Sequence, residues 1–277
     1  MPTLTLTGSN PAIEDEYRRA LAGLARCQAQ PAPFDASRYH PAAVAEAREM
    51  WRVRMRAEHA SVPPLAALVL QLVEAGASLD AQGVVLRMGL DELRHTEICG
   101  EAVRALGGEP SCETDPAPTR LPTWPGVSPE ERALRNVIFG NAMVEMVNAA
   151  NLVDILDTMT DPCLREAVRL LLADEVQHAS FGYDYLAAWA PWIAARPEVR
   201  ASLDGFLRAA FAELRRVRTG GLRTRPLTAD HVALGIADPM RLTVVLHQTV
   251  EGAIVPALES FGLAAGDAWL WNERLPS

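Results

Sequence analysis

Asp91-Glu92-Leu93-Arg94-His95 and Asp174-Glu175-Val176-Gln177-His178 are two copies of one pattern, D-E-x-x-H. With 35 acidic residues and 6 histidines among 277, random placement gives about 0.4 copies of E-x-x-H and about 0.02 of D-E-x-x-H. At 100° per residue, the Glu and His of each motif share a helix face. That face is otherwise apolar: Val85, Met88, Cys99, Val103 and Leu106 around the first copy, Val168, Leu171, Leu172 and Leu186 around the second. The charged groups must therefore point inward. A buried carboxylate without a partner costs several kcal/mol, so a chain that buries several needs cations beside them. Metal ions meet that need better than the few arginines available.

The same angular test finds one more inward carboxylate on each of two other helices. Glu58 shares a stripe with Trp51, Met55, Val62, Leu65 and Val69, and Glu145 with Ile138, Ala142, Ala149, Leu152 and Leu156, flanked by Asn141 and Asn148. Glu58 precedes Glu92 by 34 positions and Glu145 precedes Glu175 by 30, an internal repeat of the form E … D-E-x-x-H. Four carboxylates and two imidazoles suit a pair of iron ions, with manganese or a mixed pair as alternatives; zinc normally uses fewer carboxylates. Facing helices about 10 Å apart would place all six around metals roughly 3.5–4 Å from each other.

Outward from the motifs, the chain reads as all-α. Helices are expected from Pro41 to Gly76, from about Leu79 to Leu106 before Gly107-Gly108, from Pro129 to Thr160, and from there to Ala195. Pro63 and Pro64 remove two backbone donors from the first, so a kink or wide turn is expected just after Glu58. The stretch from Glu109 through Pro129 holds six prolines, a loop long enough to cross a bundle. Residues 1–40 read as an N-terminal arm with an amphipathic stretch from Ile13 to Cys27. Residues 41–196 read as a four-helix bundle with the long crossover. Residues 197–277 add two extra C-terminal helices, split at Gly220-Gly221.

The formal net charge of −9 and pI near 5.2 leave no basic field for nucleic acid. No stretch of about 18 uncharged apolar residues appears, and the first residues lack a basic region followed by an apolar one, so no membrane association and a cytoplasmic location are expected. Cys27, Cys99, Cys112 and Cys163 form no C-x-x-C pair, which argues for free thiols and against a local zinc or rubredoxin-type site.

The arrangement of residues 41–195 resembles the ferritin-like superfamily of di-iron carboxylate proteins, and D-E-x-R-H at Asp91 to His95 is similar to the motif of bacterial di-iron monooxygenases. The resemblance implies that Glu58, Glu92 and His95 serve one metal and Glu145, Glu175 and His178 the other, with Glu92 and Glu175 as bridges. It also implies that Asp91 and Asp174 accept hydrogen bonds from the ligand histidines, with Arg94 supporting them. Gln177 stands where the second copy would repeat Arg94.

Three further positions carry chemistry. His247 and Glu251 share a stripe with Met240, Val244, Ile254 and Leu258; they could be a pocket acid and base, an added ligand, or a self-satisfied internal pair. Tyr185, near the His178 face, reads as a core tyrosine or a redox one. His59 is turned away from the ligand face. Three functions remain open: an O₂-using oxidase or oxygenase acting on a small organic substrate by hydroxylation, desaturation or N-oxygenation; iron oxidation or peroxide reduction of ferritin or rubrerythrin type; and a non-catalytic metal scaffold. The length beyond four helices favours the first. Its expected partners are a small-molecule substrate and a separate electron donor, and a homodimer is compatible with the same reading.

Overall fold

The computed structural model describes residues 3–5, 33–114, 120–218 and 226–273. Helix α1 (Pro41–Glu74) and α2 (Leu79–Ala105) form one hairpin; α3 (residues 129–158) and α4 (Pro162–Ala194) form the second. Short turns join each pair, so the partners run antiparallel. The pairs meet where α2 packs on α4 and α1 on the first part of α3. Four starts obey one rule: Pro41, Pro129, Pro162 and Pro239 occupy first-turn positions, where a missing N–H costs nothing. Ser128 and Asp161 cap α3 and α4 by accepting from Glu131 N and Leu164 N, at 3.2 and 2.9 Å.

After α4 come α5 (Pro197–Arg218), the short α6 (Ala229–Ala233), α7 (residues 239–260) and α8 (Ala265–Glu273). The C-terminal part thus holds more than the two helices expected. Leu203, Phe206, Phe211 and Trp269 from α5 and α8 share a core with Leu72, Val85, Ile138 and Leu186 of the first four helices. Strand β1 (Thr3–Thr5) pairs antiparallel with β2 (Ser111–Glu113), which ties the start of the chain to the crossover. The amphipathic stretch at 13–27 and the Gly220-Gly221 break lie outside the described residues. Among the described residues the thiols Cys99, Cys112 and Cys163 are free, and no helix is long and apolar enough to cross a membrane.

Three expectations change. Helix α1 continues through Pro63 and Pro64 with no turn; packing against α2 along its length offsets the backbone bonds the prolines remove. Helix α3 is not regular, because Ile138–Glu145 winds as a wider π-helix between Pro129–Val137 and Met146–Thr158. Helix α7 has a similar wide turn at Val250–Ile254. In a regular helix Leu246 and Leu258 would diverge by about 120°, yet both are buried with Val250 and Ile254. The wide turn realigns them and splits the stripe expected to bury His247 and Glu251: Ile254 and Leu258 stay buried, while Met240 (62 % exposed), Val244 and Glu251 face outward and His247 is half-buried.

The core divides into two apolar clusters. One contains Trp51, Met55, Cys99, Val103, Leu152, Val168 and Leu171; the other contains Leu72, Met88, Ile138, Met143, Phe181 and Leu186. Each of the first four helices passes from one cluster to the other near its acidic residue, so Glu58, Glu92, Glu145 and Glu175 lie in a polar layer between two dry halves. Burying a side chain such as Met55 or Leu186 stabilises by about 1.5–3 kcal/mol, and that packing holds the polar layer closed.

The π segment also explains one glycine. A Cβ on Gly182 would sit 2.4 Å from Ala142 N and 2.8 Å from its Cα, and Tyr183 Oη donates to Ala142 O at 2.7 Å next door. Gly182→Ala is expected to destabilise the chain by about 2 kcal/mol, despite alanine's better helix propensity, because backbone must shift. Urea unfolding checks this; a variant as stable as the parent would mean that α3 and α4 do not approach so closely.

Candidate metal centre

Six side chains from four helices converge in the polar layer. Ligand atoms of Glu58, Glu92, His95 and Glu175 lie within 4.8 Å of one another, and so do those of Glu92, Glu145, Glu175 and His178. The two groups share Glu92 and Glu175. All six residues singled out from sequence are therefore brought together, one each from α1 and α3 and a Glu–His pair each from α2 and α4.

The distances suit an ion better than they suit direct contact. His95 Nδ1 stands 3.6, 3.8 and 3.5 Å from oxygens of Glu58, Glu92 and Glu175. His178 Nδ1 stands 3.3 and 3.5 Å from Glu92 and Glu175. Hydrogen bonds are mostly shorter, whereas ligands about 2.0–2.2 Å from one metal are separated by about 3–4 Å. His95 Nδ1 and Glu175 Oε2 are buried with no hydrogen-bond partner, a costly arrangement unless a cation sits among them.

Behind each imidazole an aspartate faces Nε2. His95 Nε2 lies 3.2 Å from Asp174 Oδ2, and His178 Nε2 lies 3.5 Å from Asp91 Oδ2. The pairing is crossed: each aspartate serves the histidine of the other motif, because α2 and α4 pack face to face and an Asp beside the ligand face points at its neighbour. An Nε2–H directed at a carboxylate leaves the Nδ1 lone pair free for metal. Arg94 pairs with Asp174. Arg87, four residues before Asp91, lies 3.4 Å from it. Sequence reasoning missed Arg87, although its i,i+4 spacing to Asp91 was visible; Gln177 is half-buried and donates to Ala173 O. Both arginines thus come from α2. Asn148 Nδ2 donates to Glu145 Oε2 at 2.7 Å, and Asn141 Nδ2 donates to His178 O at 3.3 Å.

Charge makes the same point. Six carboxylates against two paired guanidinium groups leave a formal −4, which two divalent ions would neutralise. In the metal-free chain, burial and then the Glu175, Glu58 and Glu145 charges hold the Glu92 carboxyl well above its usual range, despite a contact with His178. Burial and Glu175 push Glu145 up to about 8. Burial would lower His178, but Asp91, Glu175 and Glu92 outweigh it and raise it well above 6.5. Glu58 ends below its usual value because His95 and Arg54 outweigh burial, and Asp91 likewise because of His178 and Arg87.

His247 and Glu251 belong to neither ligand group. Glu251 is exposed and accepts from Trp269 Nε1 at 3.2 Å, while His247 is half-buried with its ring 5.1 Å from that of Trp269. The two share Trp269, a buried indole of α8. Tyr185 is buried in the core, as one of its two readings had it. Comparison of the chain with protein-family models, with curated proteins and with solved structures found no match.

Proposed function

We propose that the chain is a ferritin-like di-metal oxidase or oxygenase, holding two iron ions and using O₂ to oxidise a small organic substrate. The observation that carries this is the pair of four-residue donor groups sharing Glu92 and Glu175. Mixed carboxylate and imidazole donors favour iron or manganese. When bound, such a pair supplies electrons to O₂ at one place.

The chain's own residues set the conditions. Asp174 bonds His95 Nε2 and Asp91 faces His178 Nε2 at 3.5 Å, so both Nδ1 atoms are turned to the centre. Asn148 holds one oxygen of Glu145 and leaves the other to turn toward or away from the ions. Glu145, with its pKa near 8 in the metal-free chain, keeps a proton at neutral pH when it is not a ligand. The flanking apolar clusters exclude water from two sides. Glu58 and Glu145 are the partly exposed members of the set, whereas the other four are buried; substrate and O₂ would arrive along α1 and α3.

That both partly exposed ligands are acidic also favours a second reading, entry of Fe(II) as the substrate of an iron-oxidising protein. Oxygen uptake by anaerobically Fe(II)-loaded chain separates them. The oxygenase reading expects oxidation of about two irons per chain, then a halt until an external reductant is added. Continued oxidation of many further Fe(II) ions per chain would favour iron handling, and no oxidation at all would overturn both.

A further inference from the structure

Helix α4 carries a row of rings leading away from His178: Phe181, Tyr185, Trp189 and Trp192, three, seven, eleven and fourteen residues on. This is the spacing of one helix stripe. Successive centroids lie 5.8, 5.8 and 5.4 Å apart. Phe181 and Tyr185 are buried, while Trp189 and Trp192 are half-buried at the edge of the core. The Arg196 guanidinium covers Trp192 at 4.5 Å. Core filling accounts for the first two rings, but at the half-exposed end it does not require two adjacent indoles.

We propose that Tyr185, Trp189 and Trp192 form an electron path by which an oxidising equivalent at the metal centre, left unused when substrate is absent, is filled from a small reductant in solvent. The proposal rests on the redox reading of the centre. Tyr185 lies about 10.5 Å along the axis from His178, and from there each ring touches the next. In the step, the centre gains one electron, drawn through Tyr185 from Trp189 and refilled through Trp192. A one-electron donor of the ascorbate or thiol class restores Trp192: the donor gives up one electron and releases its proton to water, and the indole nitrogen, which lost its proton to water on oxidation, takes one back. Without such a donor the oxidised indoles react on with O₂ to stable ring-oxidised products.

Two contacts decide where the oxidation rests. The Tyr185 hydroxyl is buried without a hydrogen-bond partner, so its proton has no acceptor and the phenol relays without storing. The cation over Trp192 disfavours positive charge on that ring, so Trp192 is oxidised with loss of its Nε1 proton to water, whereas Trp189 can hold the charge.

The test exposes anaerobically Fe(II)-loaded chain to O₂ without substrate and maps oxidised tryptophan by peptide mass spectrometry, with metal content and iron oxidation followed on the same samples. The expected result is oxidation at Trp189 and Trp192, suppressed by ascorbate, with Trp271, which is 43 % exposed, unmarked. Trp189→Phe should lose the mark at Trp192 while keeping its iron. Iron oxidation with unmarked indoles, equal marking of Trp271, or a Trp192 mark that survives Trp189→Phe would overturn the path alone. Absent metal uptake or absent iron oxidation would overturn the path together with the reading beneath it.

Discussion

Glu92→Ala combined with Glu175→Ala is expected to take metal binding from about two ions per chain to none, whereas Glu58→Ala leaves about one. The asymmetry follows from geometry: Glu92 and Glu175 belong to both donor groups, Glu58 to one. Loss of an unshared ligand leaves all four donors of the other group in place. Because alanine leaves a cavity, Glu92→Gln with Glu175→Gln is the companion, keeping volume and removing charge. It should lose metal in the same way yet unfold at a higher temperature than the metal-free parent, since the burial and mutual repulsion that hold Glu92 above its usual range are gone. Metal content by elemental analysis and thermal unfolding read the two effects. Retention of both ions by the double variant would refute the shared-ligand assignment.

The second large effect is on stability against pH. Glu145, at about 8 in the folded chain against its usual 4.5, binds a proton across a range where the unfolded chain has lost it. Its contribution is fully present below pH 4.5 and is lost as pH rises through 8. Glu92 and His178, both raised, act with the same sign: Glu92 from 4.5 upward, His178 from 6.5 upward. Asp91 and Glu58, both lowered, act oppositely, but their contributions fall away only on the acid side, below about 4.5. Chelator-treated chain should therefore lose stability by about 2–4 kcal/mol between pH 5 and pH 9. In the loaded chain, metal takes the place of those protons, so the loss disappears and metal affinity rises with pH. Urea unfolding across that range, with and without metal, checks both; metal-free chain that grows more stable toward pH 9 would contradict the account.

The cluster was legible in sequence because each of its six residues sits on a helix face that local periodicity defines. Glu92, His95, Glu175 and His178 needed only the motif spacing; Glu58 and Glu145 needed only an apolar stripe. What periodicity could not reach lies between helices or in departures from 3.6 residues per turn. The crossed pairing of Asp91 with His178 and Asp174 with His95 depends on how α2 meets α4. The splitting of the stripe that carries His247 and Glu251 depends on the wide turn at Val250–Ile254, which a constant angle per residue cannot represent. The expected break at Pro63 and Pro64 failed for a related reason: local propensity argued for it, and packing of α1 on α2 overrode it. Arg87 differs from these, because its spacing from Asp91 was in plain view while the need for a second arginine was not.

The central claim is that two ions sit between four helices and share two glutamates. Its most direct measurement is anomalous scattering from crystals of the chain loaded anaerobically with Fe(II). Two peaks are predicted, one among Glu58, Glu92, His95 and Glu175, the other among Glu92, Glu145, Glu175 and His178. A single peak, or iron bound only to acidic residues outside this layer, would contradict it.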